Sequence, residues 1–71
     1  MTNPPVDSPD PREHAAWIQA RLVELAEHAR ADVARVSEPK AQALFETTAE
    51  ALQGLAKAYG DYRSGRERAW R

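Results

Sequence analysis

Seventy-one residues suffice for one small domain, and the absence of cysteine excludes a disulfide framework and a thiolate metal site. Ten Lys and Arg against eleven Asp and Glu leave a net charge of −1, so no overall field draws the chain to nucleic acid or to an acidic membrane. Hydrophobic residues at 42% and charged residues at 30%, with few aromatics, suit an amphipathic helical protein that must be stabilised by packing.

Residues 1–9, Met-Thr-Asn-Pro-Pro-Val-Asp-Ser-Pro, hold three of the five prolines and no periodicity, and read as a disordered or extended leader. They contain no apolar signal-peptide core, and no apolar run nears the ~20 residues of a membrane span, so a cytoplasmic protein is expected. The first helix starts at Asp10, whose carboxylate suits an N-cap, with Pro11 at the first helical position and Glu13 at capping-box spacing. Ser8-Pro9 is a weaker alternative start.

From there Ala15, Ile18, Leu22, Leu25, Ala29, Val33 and Val36 recur at steps of three and four, the signature of an amphipathic helix. Asp32 stands where a strict heptad would be apolar, and Val33 takes over, which reads as a small phase shift. Asp32 either turns to the bundle edge, pairs with Arg35 or Lys40, or sets register. A second row of Ala16, Ala20, Val23, Ala26 and Ala34 widens the face, and Trp17 lies off the main stripe, where it would pack on the tail or on a partner.

Ser37-Glu38-Pro39 breaks the pattern, because proline inside a helix removes a hydrogen bond and clashes with the preceding turn. Ser37 is a suitable N-cap for a new helix, and so short a connection favours antiparallel neighbours over one kinked helix. The second stripe, Ala41, Phe45, Thr48, Leu52, Leu55, Tyr59 and Tyr62, is an unbroken heptad. Ser64-Gly65 supplies the stop, while Gly54 and Gly60 each cost ~1 kcal/mol relative to Ala, so Gly60 is a place for the helix to fray.

The fold expected is therefore an all-α antiparallel hairpin, with helices at about 11–36 and 38–63, a hairpin domain over 10–65 and a basic flexible tail at 66–71. With Phe45, Leu52 and Tyr59 as a, and Ala41, Thr48, Leu55 and Tyr62 as d, the g positions Leu44, Ala51 and Ala58 and the e positions Ala49 and Ala56 are also apolar. Such width calls for more than one neighbouring helix, which a homodimeric four-helix bundle of coiled-coil character provides. The expected core and dimer interface is Ile18, Leu22, Leu25, Val33, Leu44, Phe45, Thr48, Leu52, Leu55, Tyr59 and Tyr62.

Little remains for chemistry. His14 and His28 lack the Glu-x-x-His spacing of di-metal bundles and read as solvated, as do Glu46 and Glu50. Thr48 has no base beside it and would bond back to its own helix. No phosphate loop, zinc spacing or nucleophile–base pair is present, so neither catalysis, metal nor cofactor is expected. Residues 39–71 carry six basic against four acidic side chains, and Arg63, Arg66, Arg68 and Arg71 surround Trp70. Arginines beside aromatics suit phosphates and unpaired bases, which makes an RNA- or single-strand-binding tail the alternative to a homodimeric assembly module. A small subunit docking its wide face on a different protein is a further alternative.

The run Pro39–Leu52, followed by Gly54-Leu55, Lys57-Ala58-Tyr59 and Asp61-Tyr62, resembles a group of short uncharacterised bacterial proteins. These share an Ala-Leu-Phe-Glu-Thr motif, here residues 43–47, and an aromatic and basic tail with Ala-Trp, here Ala69-Trp70. The resemblance covers roughly the C-terminal half and implies a small self-contained protein, with no activity attached. In design alone the chain is similar to Rop-like helical hairpins, which dimerise into four-helix bundles and bind RNA hairpins, an architectural analogy that does not carry function.

Overall fold

The computed structural model describes residues 3–65. Two helices, α1 (Pro11–Arg35) and α2 (Pro39–Ser64), pack against each other as an antiparallel hairpin. Three of the four ends lie within a residue of a proline or glycine, while α1 stops at Arg35, four residues before Pro39.

Asp10 is the N-cap of α1, its Oδ1 accepting from the Arg12 backbone N–H at 2.9 Å. The capping box is closed from the other side: the Asp10 N–H donates to Ser8 Oγ at 3.1 Å, leaving Glu13 out of that role. Residues 3–9 turn back toward the helix through Val6 N–H to Pro4 O and Ser8 N–H to Pro5 O. His14 Nε2 lies 2.8 Å from the Ser8 carbonyl, an acceptor that requires the Nε2–H tautomer.

At the connection the cap of α2 is Glu38, which makes no side-chain cap bond, and Ser37 lies one residue too early. Pro39 explains the shift. It occupies the first helical position and confines the preceding residue to extended backbone, here φ −80°, ψ 121°. The far end closes on Gly65 in the left-handed region (φ 77°), with its N–H directed at the Asp61 and Tyr62 carbonyls. The helix runs straight through Gly54 and Gly60, so Gly60 is no fraying point.

The seam between the helices is made of alanine. Ala15, Ala26 and Ala29 of α1 and Ala49 and Ala56 of α2 are the buried hydrophobic residues, and no polar or charged side chain is buried among the described residues. In α1 these fall on two rows seven residues apart, Ala15–Leu22–Ala29 and Gln19–Ala26–Val33. Val33 thus belongs to a seam row of its own, and the apparent phase shift at Asp32 is the boundary between two rows. In α2 the seam uses the a and e rows, Phe45–Leu52–Tyr59 and Gln42–Ala49–Ala56. The d and g rows point elsewhere.

Candidate functional site

The two broad faces of the hairpin differ in chemistry. One is tied across by polar side chains. Gln19 Nε2 donates to the Ala56 carbonyl at 3.0 Å, and its Oε1 accepts from Arg63 Nη1 at 2.7 Å. Gln42 Nε2 reaches the Val33 and Val36 carbonyls at 3.2 and 2.8 Å, satisfying acceptors that the C-terminus of α1 leaves open. Arg30 Nη2 donates to Gln53 Oε1 at 2.8 Å. Gly60 makes the first of these ties fit, because a Cβ there would stand 2.8 Å from Gln19 Nε2.

The opposite face is apolar and open. Its α1 row is Ile18 and Leu25, and its α2 rows are the d and g positions. On it Leu44 is 63% exposed, Leu25 52%, Leu55 51% and Ile18 36%. The fully buried hydrophobic residues among those described are alanines, while four large aliphatic side chains of this face stay exposed. Full burial of a Leu or Ile is worth about 1.5–3 kcal/mol, so a large share of the available hydrophobic stabilisation lies outside the hairpin's own seam.

At the open end, between the start of α1 and the end of α2, this face sinks into a groove of about 620 Å³. Ala15 and Ala58 form its floor, where short side chains leave room, and Ile18, Leu55, Tyr59 and Tyr62 rise around it, with His14 at the rim. Of the remaining expected interface residues, Leu22, Val33, Phe45 and Leu52 are half-buried along the seam, and Thr48, on the open face, donates its hydroxyl to its own Leu44 carbonyl at 2.8 Å.

The polar residues singled out in the sequence are engaged locally. Asp32 accepts from His28 Nε2 at 3.0 Å and from Arg35 Nη1 at 3.2 Å, so His28 pairs one turn forward and not with Glu24. Glu24 is held by Arg21 at 2.7 Å, and the Arg21 guanidinium lies over the Trp17 ring, 5.1 Å from its centroid. These exposed pairs are each worth little. No group of three or more metal-ligating side chains occurs among the described residues. Of the arginine cluster, Arg63 is in the last turn of α2 and tied to Gln19; Arg66, Arg68, Trp70 and Arg71 lie outside the described residues.

Sequence reasoning missed Gln19 and Gln42 as residues that join the helices, and, although it placed all five alanines on apolar rows, it did not rank them as the most buried. The signal was their spacing: Gln19–Ala26 and Gln42–Ala49–Ala56 repeat at seven, as a seam row must.

Comparison with protein families, curated proteins and solved structures finds no match. No helix among the described residues is long and apolar enough to cross a membrane.

Proposed function

We propose that the chain is a non-catalytic assembly module that works as a homodimeric four-helix bundle, two hairpins meeting through the face that carries Ile18, Leu25, Leu44 and Leu55. The observation that carries this reading is that Ile18, Leu25, Leu44 and Leu55 stand exposed on one face while the fully buried hydrophobic residues among those described are alanines. A hairpin is one helical layer, about 13 Å thick between its outer Cα positions, and helical domains are stabilised by at least two layers around a core. The open face is roughly 38 Å long and 20 Å wide from helix dimensions, or about 750 Å². A stable dimer of standard size buries ~800 Å² per partner, so the whole face is needed and is sufficient.

The d and g rows of α2 then have the neighbour that their hydrophobicity requires, while the a and e rows serve α1. We place this assembly in the cytoplasm, in keeping with the lack of cysteine. Thermal unfolding across a hundredfold range of protein concentration tests the proposal, because assembly and folding are linked by mass action. The midpoint should climb with concentration; a fixed midpoint would refute the dimer.

A further inference from the structure

We infer that the second copy lies end over end on the first, so that the connection of each hairpin covers the open end of the other and Leu44 of one copy enters the groove of its partner. The inference rests on the dimer proposed above and adds its orientation and its contacts.

A two-fold axis in the plane of the apolar face has two choices. Placed along the helices, it leaves both connections at the same end and stacks α1 on the second copy's α2. Placed across the helices, it puts the connections at opposite ends and stacks α1 on α1 and α2 on α2. Both give antiparallel neighbours throughout, so direction alone does not decide.

The distribution of side chains along the face does. Heights within the hairpin are set by its own cross-ties: Gln19 meets Ala56 and Gln42 meets Val33, so the middle of the hairpin lies near Val23 and Leu52. With both connections at one end, Leu44 would come to rest at the height of Asp32, a carboxylate already bound to His28 and Arg35. That arrangement desolvates a charge against a leucine. It also sets the two alanine-floored grooves over each other, leaving an apolar void that packing does not tolerate.

End over end, the two grooves no longer face each other, and Leu44 no longer rests on Asp32. Leu44, the most exposed large hydrophobic residue of the two helices, falls at the height of Ala58, Tyr59 and Tyr62 in the second copy, over the groove of about 620 Å³. The operation is symmetric, so each groove receives one leucine, a protruding knob over a floor of alanine. On α1, Asp32 falls at the height of His14 of the second copy, an imidazole that lines the groove. At the groove ends of the face apolar meets apolar and carboxylate meets imidazole, while in the middle of α1 Leu25 falls at the height of Arg21.

The chain has no cysteine, so single thiols can be introduced cleanly. Ser37 is exposed in the connection, and Ser37→Cys carrying a nitroxide reports the separation of the two connections by electron dipolar spectroscopy. End-over-end packing predicts a separation near or beyond about 40 Å, the length of a 25-residue helix. A separation below about 25 Å, one interhelix spacing of ~8–10 Å plus the two label arms, would keep the dimer and overturn the orientation. No dipolar signal in a sample that scatters as a monomer would remove the dimer and with it the inference. As an independent check, Ala51 lies on the g row near the middle of α2, so Ala51→Cys should oxidise to a covalent dimer only if α2 lies on α2. Failure of that bridge, together with a short distance between connections, would refute end-over-end packing on both counts.

Discussion

Gly54 and Gly60 sit in the same helix six residues apart, and helix propensity alone makes Gly→Ala favourable by ~1 kcal/mol at either position. The structure separates them. A Cβ at Gly54 meets nothing within 4 Å, so Gly54→Ala should stabilise by the full ~1 kcal/mol per chain, or roughly 4–8 °C for a domain of this size. A Cβ at Gly60 would approach Gln19 Nε2 to 2.8 Å. The amide is the far end of a flexible side chain and can retreat, but in retreating it gives up the Ala56 carbonyl and its hold on Arg63. Each such bond is worth ~0.5–1.5 kcal/mol net, which cancels the propensity gain. Losing both offsets or exceeds that gain, so Gly60→Ala should be neutral to ~2 kcal/mol destabilising. The double variant decides the cause: with Gln19→Ala already present, adding Gly60→Ala should recover the full gain, a coupling of ~1–3 kcal/mol. Thermal unfolding followed by circular dichroism, with all variants at one concentration, measures the set. Equal stabilisation by both single substitutions would refute the reasoning.

The remaining expectations are simpler. Asp10→Ala removes the side chain that accepts from Arg12 N–H and should cost ~1 kcal/mol in urea denaturation. Gln42→Ala frees the Val33 and Val36 carbonyls at the end of α1 and should cost ~1–2 kcal/mol by the same assay. Leu55→Glu places a charge in the middle of the open face, where the monomer exposes it by half; helicity at low concentration should persist while light scattering shows self-association abolished. Leu52→Ala, on the seam side, should instead lower stability by ~1–2 kcal/mol, less than for a fully buried leucine, because each copy loses packing of a half-buried side chain within its own hairpin.

The sequence carried the helices plainly, and not the roles of their faces. Pro11, Pro39 and Gly65 act through fixed or unusual backbone angles, which are local and legible, and they place three of the four helix ends. Local capping was less legible: Ser8, not Glu13, takes the Asp10 N–H, and Glu38, not Ser37, stands at the second cap. A heptad wide enough for two neighbours does not say which neighbour each row serves. Size suggests that leucines should form the nearest contact, yet the hairpin's own seam takes the alanines and leaves Leu25, Leu44 and Leu55 on the open face. Gln19 and Gln42 drew no notice in the sequence because their partners are carbonyls on the other helix, 37 and nine residues away in the chain for Ala56 and Val33. Gly60 looked like a weakness for the same reason.

Light scattering on the purified full chain at ~100 μM, far above a micromolar dissociation constant, tests the central claim most directly. The account predicts a mass twice that of the 7.9 kDa chain. A mass of 7.9 kDa at that concentration, with the leucines of the open face left in water, would contradict it.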